Sequence, residues 1–369
     1  MDIPLSQPDI SQAEIDAVVA VMKTPHLSLG PKLAEFEAAF AAQVGTRHAI
    51  AVSSGTAGLH LIMRAIGVGA GDEVITTPFS FIASSNSIMF DGGKPVFVDI
   101  DAETWNLDPE RIEAAISDRT KGILAVDVFG QPARYDRINP LAERRGLTVI
   151  EDSCEALGAR LNGRAAGSLG KAGVFGFYPN KQITTGEGGM IVTDDDEICQ
   201  LALSMRNQGR DSHGGWLAHS QLGFNYRLSD IHCAIGIVQL ERLEILLGNR
   251  ARVAQMYRQR LAGETRIRMQ RIDEDVEMSW FVFVVRLNDE YSQDDRDRIL
   301  TQLREKGIGC SNYFTPIHLQ PFYVDQFGFR EGDFPICEAL ASRTIALPFH
   351  GTLSEAQIDR ICAEFTSLL

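Results

Sequence analysis

Residues 49–76 read AIAVSSGTAGLHLIMRAIGVGAGDEVIT: an apolar run, a small polar turn, an amphipathic stretch with apolar side chains three and four apart, a glycine-rich turn and a second apolar run. That order predicts a strand, a helix and a second strand, the unit from which parallel sheets covered by helices are built. The pattern repeats along the chain. Further strands are expected at 95–98, 122–126 and 147–150, with helices at 57–66, 109–116 and 138–145 and turns at 67–72 and 91–94. The first two-thirds of the chain therefore predicts a large α/β domain with a mostly parallel sheet.

From Asn225 the grammar changes. Residues 228–247 continue as one long helical pattern, and a charged run follows at 250–260. A strand at 280–287, an exposed helix at 294–305 and a closing helix at 354–368 come next, the last opening on Ser354-Glu355-Ala356-Gln357, which fits a capping box. The expected division is a large domain over 1–247, its first 30 residues free to pack elsewhere, and a smaller C-terminal α+β domain over 248–369.

The 369 residues carry 35 Lys and Arg against 49 Asp and Glu, a formal charge of −14. Nucleic acids and anionic membranes select clustered positive charge, so neither is an expected partner. The apolar run at 280–285 is far short of the ~20 residues that span a bilayer. Six cysteines (Cys154, Cys199, Cys233, Cys310, Cys337 and Cys362) are scattered without a CxxC pair. They predict reduced thiols, with no disulfide scaffold or metal site. Residues 1–10 lack a basic segment followed by an apolar run and do not read as a signal peptide, so a cytoplasmic protein is expected.

Three segments could do chemistry. Ser53-Ser54-Gly55-Thr56 joins a strand to a helix, and the free N–H groups of a helix start suit a phosphate. The helix dipole contributes only about 0.3–1 kcal/mol there, so hydrogen bonds from Gly55, Thr56 and Ala57 would do most of the holding. An ordinary N-cap is the plainer alternative. Asp152 stands just past an apolar strand, where open α/β sheets place their ligands. It could cap a helix, bind a metal or hold a proton on a heterocyclic nitrogen, and no His-rich set favours the metal. Lys181 follows Phe175-Gly176-Phe177-Tyr178-Pro179-Asn180 and precedes Gly186-Glu187-Gly188-Gly189, which predicts an enclosed amine. A lysine becomes nucleophilic near pH 7 only where burial or a Schiff base offsets about 4 kcal/mol, and a structural lysine is the alternative. A phosphate anchor, a carboxylate for a pyridine nitrogen and an amine for an aldehyde are together what pyridoxal phosphate requires.

These segments, with Gly30-Pro31, Glu35-Phe36-Glu37, Gly71-Asp72-Glu73-Val74, Pro95-Val96-Phe97-Val98-Asp99 and Gly223-Phe224-Asn225-Tyr226-Arg227-Leu228, resemble the sugar aminotransferases of the DegT/DnrJ/EryC1/StrS family. The resemblance covers nearly the whole chain and is faintest over 263–278. It implies the fold of type I pyridoxal-phosphate enzymes, an aspartate aminotransferase-like large domain with a mostly parallel seven-stranded sheet. It further implies that Lys181 holds the cofactor as a Schiff base and shuttles protons, that Asp152 keeps the pyridine nitrogen protonated, that Thr56 and Ala57 bind the phosphate, and that Phe81 stacks on the ring. Glu155 stands where the family commonly has Gln, beside the cofactor's phenolic oxygen, and Gly176 where a phosphate-binding Ser is frequent.

By the same resemblance Asn225 reaches the phosphate of a neighbouring subunit, which implies a homodimer with shared active sites. L-Glutamate would be the amino donor, and the acceptor a keto group, at C4 or else C3, of a nucleotide-diphosphate-linked deoxysugar. The diphosphate calls for local positive charge, which Arg206, Arg210, His213, His219 and above all Arg227 could supply. Tyr313 and His318 resemble the segment that approaches the sugar. A pyridoxamine-dependent sugar dehydratase is the competing enzyme, disfavoured because it has histidine where Lys181 stands. A regulatory protein retaining the fold would bind without amino transfer. Gly67-Val68-Gly69-Ala70-Gly71 follows a helix and precedes a strand, the reverse of a dinucleotide fingerprint.

Overall fold

The computed structural model describes residues 2–210 and 218–369. Its centre is a sheet of β1 (His48–Val52), β2 (Glu73–Thr76), β3 (Lys94–Phe97), β4 (Thr120–Val126), β5 (Thr148–Asp152), β8 (Ala172–Gly176) and β9 (Gly189–Thr193), the short β6 (Arg160–Leu161) and β7 (Arg164–Ala165) forming a hairpin outside it. The order is β1-β9-β8-β5-β4-β2-β3. Only β9 runs against its neighbours, so the mostly parallel seven-stranded sheet is present as expected.

Strands β8 and β9 lie where the sequence showed aromatic and glycine segments. Their glycines serve close approach: a Cβ on Gly189 would stand 2.6 Å from the amide nitrogen of Gly55 and from the carbonyl carbon of Ser54. The glycine run thus packs the end of β9 against the turn that opens the helix Gly55–Ala65. Strand β5 also runs two residues beyond the expected end, making Asp152 its last residue rather than the one after it. Ile50, Val52, Leu59, Ile62, Leu124, Ile150, Val174 and Ile191 form one buried cluster between sheet and helices, each such side chain contributing about 1.5–3 kcal/mol.

The helical pattern at 228–247 proves to be two helices, Asp230–Glu241 and Leu243–Arg260. The break falls at Arg242, whose guanidinium is tied to Asp9 at 2.7 Å and to Glu14. The second helix absorbs the charged run and crosses the expected domain boundary. Leu243 and Leu246 sit in a core cluster of the large domain, whereas Val253, Ala254 and Tyr257 sit in that of the small one. The small domain carries an antiparallel sheet of β10 (Ile267–Met269), β12 (Phe283–Leu287) and β13 (Thr344–Leu347), while β11 (Val276–Glu277) pairs with β6. Ile3 bridges to Ile308 and enters the small domain's core, so the chain's first residues pack away from the large sheet. Ser354 and Gln357 make the reciprocal capping box. All six cysteines are free, and five are buried. Among the described residues no helix is long and apolar enough to cross a membrane.

Candidate active site

Strands β4, β5 and β8 end at one edge of the sheet, where Val126, Asp152 and Gly176 border a cavity of about 550 Å³, a volume typical of ligand pockets. Gly55, Thr56, Phe81, Asp152, Glu155, Lys181 and Tyr313 all line it. Gly55 and Lys181, 126 positions apart in sequence, therefore meet beside the side of the sheet to which the parallel strands deliver their carboxyl ends, and Tyr313 joins them from the C-terminal part of the chain.

The Lys181 side chain is 15% exposed, and its Nζ lies 3.7 Å from Glu155 Oε1 and 4.1 Å from the centroid of the Phe281 ring. Glu155 is buried, and its Oε2 accepts the Phe129 N–H at 2.9 Å. Burial pushes its carboxyl above the usual range, against the opposing pull of Lys181. Asp152 Oδ2 accepts the Ser84 hydroxyl at 2.6 Å and Oδ1 accepts the Cys154 N–H at 3.3 Å. Two donors from separate elements therefore aim this carboxylate. Behind it, burial also holds the carboxyls of Asp127 and Glu151 above the ordinary range, which leaves Asp152 as the acid of this strand end that opens to the cavity.

Beside Cys154 and Gly176, Ser54 caps the helix Gly55–Ala65, its Oγ accepting the Ala57 N–H at 3.0 Å. Ala57 itself is buried outside the cavity lining, its N–H engaged by this cap. The N–H groups of Gly55 and Thr56 lie in the first turn, beyond the reach of any helical carbonyl. Phe81 is 62% exposed, an apolar ring presented to the cavity. Asn180 Oδ1 is buried without a partner among the described residues, so a bound donor is what would satisfy it.

The DegT/DnrJ/EryC1/StrS aminotransferase family matches residues 8–366. The chain belongs to this family. GDP-perosamine synthase of Caulobacter vibrioides is 40% identical over 369 residues, 100% of this chain and 98% of that protein. Spr1654 of Streptococcus pneumoniae in its PLP form superposes with a TM-score of 0.95 at 30% identity, covering 100% of this chain and 98% of that one. DesV of S. venezuelae, in complex with a ketimine intermediate, superposes with a TM-score of 0.92 at 33% identity, covering 99% and 98%.

Not every expected residue of this aminotransferase reaches the cavity. His318 is fully buried, its Nε2 2.9 Å from Glu338 Oε1 and its ring 4.7 Å from that of Phe334. The short helix Ile317–Leu319 turns it into the core, away from the lining of this cavity. Asn225 is exposed and Arg227 half-buried, the latter donating to Asn207 Oδ1 at 2.9 Å. Neither lines this chain's cavity. Arg206 is likewise committed, to Glu37 and to the Ala51 carbonyl at 2.7 Å. His219 Nδ1 lies 2.9 Å from the Gln208 carbonyl oxygen, and Arg210 Nε is buried without a partner among the described residues. His213 lies outside the described residues.

Sequence reasoning missed Ser84 and Phe281. Phe281 sits inside an apolar run that reads only as strand. Ser84 left a faint signal, since Ser84, Ser85 and Ser87 crowd a short helix, Ala83–Met89, whose buried face would otherwise be apolar. Ser84→Ala is expected to fold and to lower kcat roughly 10-fold or more, the worth of a hydrogen bond to a charged acceptor. Steady-state kinetics beside a thermal melt checks this, and an unchanged kcat would show that Cys154 suffices to aim Asp152.

Proposed function

We propose that this aminotransferase holds pyridoxal phosphate in the cavity and moves an amino group from L-glutamate to a keto group of a nucleotide-diphosphate-linked deoxysugar, at C4 or else C3, in the cytoplasm. The observation that carries the reading is the convergence of the Lys181 amine, the aimed Asp152 carboxylate and the open helix start at Gly55 and Thr56 on one cavity. The residues fit the group: Gly55 and Thr56 for its phosphate, Asp152 for its ring nitrogen, Phe81 for its face and Lys181 for its aldehyde. When bound, pyridoxal phosphate supplies the electron sink for charge developing at the substrate Cα. Spr1654 in its PLP form and DesV with its ketimine support the cofactor, and GDP-perosamine synthase the nucleotide-sugar class.

The chain's own contributions follow from the contacts above. Lys181 Nζ takes the proton from the donor's Cα and returns it to the acceptor, held between the Phe281 face and the Glu155 carboxyl. Ser84 fixes Asp152 Oδ2, so the carboxylate that would serve the ring nitrogen of a bound cofactor needs no reorientation as charge develops. Tyr313 and Phe314 wall the acceptor side and exclude water. Asn225 and Arg227 serve the cavity of a second copy in this reading, which makes the homodimer the active unit. Screening nucleotide-linked 4-keto and 3-keto sugars with glutamate, and identifying the aminated product by NMR, tests the function. Binding of every such sugar without amino transfer would instead favour a regulatory protein.

Shared sites make a separate prediction. Lys181→Ala and Asn225→Ala protomers, each inactive alone, are expected to regain activity on mixing, because one hybrid cavity carries both native residues. No recovery under conditions where subunits exchange would count against the shared arrangement.

Glu155 gives a pH prediction. Its folded carboxyl is raised, so the neutral form is favoured on folding, and that contribution is complete below the unfolded value near ~4.3 and lost as pH rises through the raised folded value. Cofactor-free Glu155→Gln is therefore expected to gain stability relative to wild type as pH rises from about 4 toward 8. Urea melts at both pH values check the sign, and a wild type that gains instead would show the Lys181 pairing to dominate.

A further inference from the structure

A buried guanidinium stands behind Lys181. Arg250 lies on the helix Leu243–Arg260 that bridges the two domains and is 5% exposed. Among the described residues no carboxylate pairs with it. Its hydrogens go to three backbone carbonyls: Lys181 O at 2.6 Å, Phe281 O at 3.1 Å and Asn180 O at 3.3 Å. Burial lowers it only to about 10, so it remains charged at neutral pH.

The Arg250 Cζ also lies 5.7 Å from the centroid of the Phe349 ring, and Asp9 attracts it from beyond ion-pair distance. A buried charge with no paired carboxylate is still costly, and a well-packed apolar side chain would fill the same space with less penalty. The three carbonyls share something that packing does not explain. Lys181 and Phe281 are the residues whose side chains meet at 4.1 Å, and Asn180 carries the unpartnered oxygen on the cavity wall. They come from different domains: Asn180 and Lys181 follow β8 of the large sheet, and Phe281 leads into β12 of the small one.

We propose that Arg250 is a positioning residue for amino transfer, pinning the backbone of Lys181 to that of Phe281 so that the reacting amine is held over the ring and opposite Glu155. A planar fork is suited to this because its separate nitrogens reach carbonyls on two segments at once, whereas an ammonium offers one point. Any sliding of the small domain is thereby carried to Lys181 Nζ. The inference rests on the reading of Lys181 as the reacting amine.

Arg250→Lys and Arg250→Met, made in the full chain and loaded with pyridoxal phosphate, test it. Both are expected to bind the cofactor. The pH midpoint of its visible absorbance should move by about half a unit or more. A fall in kcat of at least about tenfold should accompany it, with KM for glutamate within about threefold. Arg250→Lys should rescue no more than part of this. If Arg250→Met does not fold, Arg250→Lys decides on the same readouts. An Arg250→Lys enzyme with the wild-type midpoint and kcat would overturn the proposal and leave Arg250 a domain fastener. Failure of the underlying reading shows separately, as a wild-type protein that gains no visible absorbance with the cofactor.

Discussion

Lys181→Ala is expected to fold as the wild type does, to lose the visible absorbance of covalently held cofactor, and to lower kcat by at least ~10⁴-fold. Two roles end together. Among the described residues that line the cavity Lys181 carries the one amine, the group that condenses with an aldehyde, and its Nζ is the base that the Phe281 ring and the Glu155 carboxyl hold in place. The fold should tolerate the change, because the Lys181 side chain is cavity-facing and its main structural contacts, the N–H to the Tyr178 carbonyl at 2.9 Å and the carbonyl to Arg250 at 2.6 Å, belong to the backbone. Absorbance of the purified variant and single-turnover assays with glutamate check both roles. Retained turnover would remove Lys181 from the chemistry, whatever the cavity's shape.

Asp152→Asn is expected to keep the fold and the cofactor but to lower kcat on the order of 10²–10³-fold. The amide is nearly the same size, and its one oxygen can still accept the Cys154 N–H while its NH2 donates to Ser84 Oγ, whose own hydrogen can turn to the Phe81 carbonyl at 3.1 Å. What cannot be replaced is the full negative charge that Asp152 would offer the ring nitrogen of a bound cofactor. In a low-dielectric site that charge holds a proton on the ring, and removing it weakens the electron withdrawal on which Cα deprotonation depends. The signature is a fall in kcat with little change in KM for glutamate. A variant that transaminates at the wild-type rate would show that Asp152 caps structure and does no electronic work.

Read along the chain, much of this protein is already legible. Alternating strands and helices announce the parallel sheet, because periodicity is a local property that each segment states for itself. Lys181, Asp152 and the Gly55-Thr56 turn stand out for the same reason, being unusual residues at the ends of strands. Strands β8 and β9 stayed hidden, since Gly189 of β9 answers the backbone of Ser54 and Gly55 more than a hundred residues away and Gly173 of β8 answers that of Gly167. His318 and Ala57 lie outside the cavity lining although their neighbours in sequence enter it, the His318 ring meeting Glu338 and the Ala57 N–H meeting Ser54. Ser84, Phe281 and Arg250 gave too little sign, each being an ordinary residue whose meaning is a distance to something remote. Chemistry that resides in residue type can be read from order alone. Chemistry that resides in burial, aim and partner appears when the strands bring their ends together.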